Sequence, residues 1–173
     1  SNRLRMAIRM AHNRVLQAIR RDHALTGMGT TVVGCMIEGT TAAVAHVGDS
    51  RAYYFRRGEL ELLTQDHTWV NEQVVAGYLS VEQARAHPLK NVVTRALGGE
   101  AEVVVDVREV ELEDGDRLLL CSDGLTAMLS DADLQELMSQ DEPIEAVCRD
   151  LVREANRRGG FDNVTVVLIE ARA

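Results

Sequence analysis

Aromatic side chains are scarce, only 3% of 173 residues, so a packed interior has to be aliphatic. Hydrophobic residues reach 46%, enough for a real core in the single domain that this length favours. No run of 18 apolar residues occurs, which excludes a helical membrane span. Positive charge is in deficit: 19 Lys and Arg against 27 Asp and Glu leave −8, which argues against nucleic acid as a partner. Cysteine is sparse and unpaired. Cys35, Cys121 and Cys148 sit in apolar surroundings without CxxC spacing, which reads as buried, reduced thiols in a cytoplasmic protein. No basic cluster flanks them to create a reactive thiolate. The chain starts Ser1-Asn2-Arg3, without the charged and then apolar pattern of a secretory signal, and the lack of Met reads as a processed or engineered end. His46, His67 and His87 have no zinc-like spacing. A P-loop, a dinucleotide fingerprint and a GxSxG elbow are all missing.

Against those absences stand two short acidic triplets. Ser122-Asp123-Gly124 closes the apolar run 117–121, and Phe161-Asp162-Asn163 opens the run 164–169. Both runs read as buried strands. If they pair antiparallel, the two aspartates meet at one rim of a sheet. Carboxylates held that close repel, and one pKa rises unless a cation lies between them. Hard oxygen ligands suit Mg2+ or Mn2+. Taken singly, Asp123 reads as an Asx turn and Asp162 as a turn residue. Their matched placement favours a ligand pair. Asp49, in the Gly48-Asp49-Ser50 turn, is a third candidate, although Gly-Asp is also ordinary hairpin chemistry. His46 alternates within a strand and reads as a satisfied sheet residue.

The rest of the chain supplies a scaffold. Residues 3–24 form a helix with Leu4, Ile8, Ala11, Val15 and Ile19 on one stripe. Strands follow at 31–38, 41–47, 52–56 and 60–63, and the turn spacing predicts an antiparallel meander. Residues 66–95 change to helical patches, with a Ser80–Gln83 capping box, and read as a flap over one side of the sheet. Strands resume at 103–112 and 116–121, joined by an Asp114-Gly115 hairpin. Two helices come next, the first capped by Ser130 and the second opened by Pro143. The fold class is α+β, antiparallel sheets flanked by helices.

Five motifs in order carry a resemblance: Gly29-Thr30-Thr31, Val47-Gly48-Asp49-Ser50-Arg51, Thr64-Gln65-Asp66-His67, Ser122-Asp123-Gly124 and Gly160-Phe161-Asp162-Asn163-Val164-Thr165. Together they resemble the metal-dependent serine/threonine protein phosphatases of the PP2C (PPM) family in its bacterial form, over about residues 28–170. The resemblance implies an αββα sandwich with metals at one rim. Asp123 and Asp162 would ligate a binuclear Mn2+ or Mg2+ pair, and Asp49 a third ion shared with Asp123. It implies hydrolysis of phosphoserine or phosphothreonine in proteins by metal-activated water, without a phosphoenzyme. The partners would be phosphorylated proteins, substrates of a Ser/Thr kinase.

The family's N-terminal strands and its Asp-Gly-x-Gly-Gly motif have no counterpart here, so the domain is expected to be N-terminally incomplete, impaired alone and prone to self-association through uncovered sheet edges. Two other readings remain: a non-catalytic binding module, and a phosphatase of the partner-switching type. Retention of Asp49, Asp123 and Asp162 together favours the catalytic reading over the binding module.

Overall fold

The computed structural model describes residues 1–172. Helix α1 spans Asn2–Arg21 and ends on Arg20 and Arg21, whose charge suits a helix C-terminus. It stops short of residue 24 because Asp22 is extended (φ −135°) and its side chain accepts from Ala24 N at 2.9 Å, starting a separate 3-10 turn at His23–Leu25. Then come β1 (Val32–Glu38), β2 (Thr41–Val47), β3 (Arg51–Arg56), β4 (Glu59–Leu62), α2 (Trp69–Val75), α3 (Val81–Ala86), β5 (Asp106–Glu111), β6 (Arg117–Cys121), α4 (Asp123–Thr126), α5 (Asp131–Met138), α6 (Ile144–Arg157) and β7 (Val166–Glu170).

The strands form two antiparallel sheets, ordered β1-β2-β5 and β4-β3-β6-β7. The expected meander is therefore corrected. It is two hairpins in different sheets, and Gly48-Asp49-Ser50 carries the chain from one sheet to the other. The expected Asp114-Gly115 hairpin is likewise a crossing, since β5 pairs with β2 and β6 pairs with β3 and β7. Turn spacing alone cannot distinguish a hairpin from a corner, because both require the same local reversal.

Three apolar layers hold this arrangement. Between the sheets lie Ala42, Val44, Ala52, Tyr54, Leu63, Leu118 and Leu120. On the outer face of the second sheet, Tyr53, Leu119 and Cys121 meet Leu125, Leu134, Met138, Val147 and Leu151 of the C-terminal helices. On the outer face of the first, Leu4 and Ile8 of α1 meet Ala45, Val47, Leu97, Val103 and Val105. The predicted strand at 103–112 pairs only from Asp106, because Val103 and Val105 are used in packing under α1 and not in a ladder. Ser80 and Ser130 both complete capping boxes, with Gln83 and Asp133. Pro143 lies just outside α6 as its N-cap. All three cysteines are free, but only Cys121 is buried; Cys35 and Cys148 are half-buried. Among the described residues no helix is long and apolar enough to cross a membrane.

The β5–β6 crossing is held by a buried charge. Asp116, 3% exposed, accepts from Tyr54 OH at 2.7 Å, from Arg56 Nη2 at 2.7 Å and from Glu113 N at 2.6 Å. Burial alone would raise its pKa, but the Arg56 bonds and the Glu113 amide outweigh that and hold it below the usual aspartate value. Asp116→Asn should cost about 2–3 kcal/mol in urea unfolding at neutral pH, as expected for losing charged hydrogen bonds and stranding donors. Because the folded pKa is depressed, this contribution is full above the unfolded value and fades as pH falls through the folded one. The gap between the two proteins should therefore narrow in acid, and a gap unchanged by acid would contradict the assignment.

Candidate functional site

Strand registry builds one rim from three neighbouring strands. Arg51 of β3 faces Cys121 of β6, and Cys121 faces Val166 of β7. Asp49 lies two residues before Arg51, Asp123 two after Cys121, and Asp162 four before Val166. All three predicted site residues therefore sit at the same end of the second sheet. Ser122 staples two of these ends: its Oγ donates to Asn163 O at 3.1 Å and accepts from Thr165 N at 3.0 Å. Gly124 lets the chains touch, because a Cβ there would lie 2.4 Å from Asn163 O. The third end is a crossing that only glycine suits. Gly48 has φ +110°, and a Cβ would lie 2.3 Å from Thr31 Cγ2.

The electrostatics at this rim are unbalanced. The pKa of half-buried Asp49 is raised, first by burial and next by the charge of Asp123. Asp123 and Asp162 are exposed, and the Asp162 carboxylate accepts from Asn163 N at 2.7 Å. A further acid, Asp66, also raises Asp49, but it is already neutralised. Arg51 grips it with two bonds of 2.8 and 2.7 Å, and Arg51 in turn donates to Tyr53 OH at 3.1 Å. Burial alone would lower the Arg51 pKa, but its bond to Asp66 outweighs this, so the guanidinium stays charged. Asp49 and Asp123 are left as like charges with no guanidinium between them. Behind them, burial pushes the Cys121 thiol up to about 12, so it is no nucleophile.

Sequence reasoning missed a second cluster. His46 Nε2, His67 Nε2 and Asp106 lie together at the inter-sheet edge, with ligand-type atoms within 4.8 Å of one another. Their hydrogen-bond roles do not leave room for an ion. Gly48 N donates to His67 Nδ1 at 3.0 Å, so the ring proton is on Nε2, which donates to Asp106 Oδ2 at 3.0 Å. Arg95 Nη1 lies 3.2 Å from Asp106 Oδ1 and 3.0 Å from His67 Nε2, placing a cation where a metal would go. His46 Nε2 donates to Gln65 O at 2.8 Å, and the two rings stack at 4.6 Å. His46 is thus the satisfied sheet residue expected of it. Burial lowers the His67 pKa, outweighing its bond to Asp106. Asp106 would be raised by burial, but the His67 bond and the Arg95 charge lower it. No local sequence signal marks this cluster, since its members are 11 to 60 residues apart and meet only through sheet pairing.

The close approach at Gly124 gives a direct test of the rim. Gly124→Ala should force the β6 and β7 ends apart, at a cost of about 1–3 kcal/mol in urea unfolding. Mn2+ binding followed by calorimetry should weaken with it. An unchanged midpoint and unchanged binding would mean that the two ends do not need this contact.

With this geometry in hand, the comparisons with known proteins are consistent. The family model described as protein phosphatase 2C matches residues 1–165. The protein phosphatase PhpP of Streptococcus pneumoniae serotype 2 is 43% identical over 157 residues, covering 91% of this chain and 64% of that protein. The Mycobacterium tuberculosis serine/threonine phosphatase PstP/Ppp is 36% identical with a TM-score of 0.93, covering 98% of this chain and 72% of that one. A PstP catalytic domain solved with two manganese ions gives 36% identity and a TM-score of 0.86, covering 98% and 70%. The chain thus spans 64% of the length of the pneumococcal relative, just under two thirds, and across nearly all of its own length it belongs to the protein phosphatase 2C family.

Proposed function

We propose that this chain carries the greater part of a metal-dependent protein phosphatase acting on phosphoserine and phosphothreonine, the products of Ser/Thr kinases. The observation that supports this most is the placement of Asp49, Asp123 and Asp162 at one end of the second sheet, where burial and then the charge of Asp123 raise the Asp49 pKa. The donor set fits a hard divalent cation: all carboxylate oxygens, on an open and partly exposed edge. In this reading Asp123 and Asp162 hold the catalytic ions, and Asp49 holds a further one with Asp123. When bound, Mn2+ or Mg2+ supplies a water of lowered pKa and positive charge for the phosphoryl oxygens. The chain's own residues set the geometry. Ser122 fixes the spacing of the two strand ends. Arg51 is bound by Asp66 and serves as framework, not as a phosphate ligand. The buried, protonated Cys121 is consistent with direct attack by water.

Calorimetry with Mn2+ tests the ligands. Asp162→Asn should weaken binding by at least about tenfold, since even residues behind the ligands cost that much. Uptake equal to that of the unaltered chain would remove Asp162 from the site. Phosphate release from a phosphothreonine peptide tests the activity. It should be weak for the 173 residues and become strongly Mn2+-dependent when the chain is completed to its relatives' length. Failure of the completed protein would sink the phosphatase reading.

Residues 66–95 are proposed as a flap beside this rim. Of its side chains, Val70 and Ala84 are buried while Val75, Tyr78, Val81, Leu89 and Val92 are exposed. Little apolar burial means a low free energy of opening. Hydrogen exchange at the amides of α2 and α3 should therefore be faster than in β6. Equal protection would count against a flap.

A further inference from the structure

We infer that His67 is a positioning residue that clamps the Gly48-Asp49 turn from two sides, with Asp106 holding its ring in the one tautomer able to do so. This rests on the reading of Asp49 as a cation ligand. The clamp itself is a pair of bonds in opposite directions. The His67 main-chain N donates to Gly48 O at 3.0 Å, and Gly48 N donates to the ring Nδ1 at 3.0 Å. Both main-chain polar groups of Gly48, the residue before Asp49, are thus tied to one residue of a different segment. An imidazole with its proton on Nδ1 would face the Gly48 N–H with another donor, so only the Nε2–H form fits. Asp106 selects that form by accepting from Nε2 at 3.0 Å; Arg95 Nη1 holds the carboxylate at 3.2 Å but also lies 3.0 Å from Nε2, a donor beside a donor, so the tautomer rests on Asp106 and Gly48 alone. His46, stacked on the ring and bonded to Gln65 O, stops it from rotating away.

On the opposite flank, Thr31 fills the space against Gly48 and its hydroxyl meets Ser50 Oγ at 3.0 Å. The turn is therefore gripped on both sides. Its remaining polar group is the Asp49 carboxyl, which is hydrogen-bonded to its own backbone and feels the charge of Asp123. A turn of this kind, with a left-handed glycine, has little intrinsic preference for one conformation. Metal affinity requires the carboxylate to be placed before the ion arrives, and groups behind a ligand supply that placement.

The competing view makes His67 a ring that only fills space under His46. Two variants separate them. His67→Leu keeps apolar bulk and removes the Nδ1 acceptor, whereas His67→Asn puts an amide oxygen near the Nδ1 position. The measurements are hydrogen exchange at the Gly48 amide, 15N chemical shifts of the His67 ring, and Mn2+ titration by calorimetry. The unaltered chain should show the Nε2–H tautomer. His67→Leu should speed Gly48 exchange and weaken Mn2+ binding, each by about tenfold, and His67→Asn should recover most of both. Equal effects of the two variants, or an Nδ1–H tautomer in the unaltered chain, would overturn the clamp. Should His67→Leu fail to fold, Asp106→Ala replaces it, with faster Gly48 exchange expected and unchanged exchange overturning the proposal. If the unaltered chain takes up no Mn2+, the ligand role of Asp49 falls, and Gly48 exchange still decides the clamp by itself.

Discussion

The rim depends on the registry of β6 against its neighbours, and that registry is not set by hydrophobic pattern. Leu118 and Leu120 face the inter-sheet core, while Leu119 and Cys121 face the helices. A strand apolar on both faces loses little burial when it slips by one residue, unlike a strand with one wet face. Polar pins at its two ends make the difference. At one end Ser122 is bonded to Asn163 and Thr165; at the other Arg117 bonds Glu170 at 3.2 Å and Met138 O at 2.7 Å. A slip by one residue would break all of these and move Asp123 by one strand step, about 3.3 Å, relative to Asp162. The positions of the carboxylates therefore follow from a few hydrogen bonds holding an otherwise permissive apolar ladder.

The same economy governs charge. The chain is acidic, at −8, yet several of its acids outside the rim are matched. Asp133 and Glu154 are bonded by Arg158, and Glu170 by Arg117 and Arg172. Several of these pairs lie at the surface, where each contributes at most about 1 kcal/mol. They matter less for stability than for what they leave unmatched. Asp66 is matched by Arg51 at the rim itself, so the guanidinium nearest to Asp49 is already committed. Burial and then the charge of Asp123 raise Asp49, more than the Arg51 charge lowers it. Like-charged carboxylates on a partly desolvated edge disfavour their shared ionised state.

Local patterns in the sequence reveal much of this and miss what depends on tertiary pairing. The capping boxes at Ser80 and Ser130 and the positions of the aspartates at the ends of β6 and β7 are set within a few residues, and the structure shows them there; of the α1 stripe, Ile8 is buried while Ala11 is exposed. The sheet assignment of β2–β3 and β5–β6 was not legible, because a corner and a hairpin share the same turn residues. Val103 and Val105 read as strand because an apolar run looks the same whether it pairs or packs. His12, 2% exposed on the α1 core face, accepts from Gly98 N at 3.2 Å, a role with no signal in its own helix. The pairing of His67 with Asp106 was not legible for the same reason: that role exists only where the two meet.

Three consecutive residues connect the rim to the segment that follows it. Asp66 holds Arg51, His67 holds Gly48, and Thr68 caps α2 by accepting from Asn71 N at 3.3 Å. The returning chain is tied to the same place, since Thr94 N donates to His67 O at 2.9 Å and Trp69 N donates to Val92 O at 2.9 Å. Both ends of the 66–95 segment are thus welded to the residue that contacts the Asp49 turn. A movement starting at Asp66 would break charged and buried bonds worth about 1.5–3 kcal/mol each. A movement confined to the two short helices beyond Trp69 breaks few buried contacts, because their apolar residues are mostly in solvent already. The firmly tied part of the segment therefore ends at the Thr68–Val93 bridge, and the Gly48-Asp49 turn is bonded to the tied part.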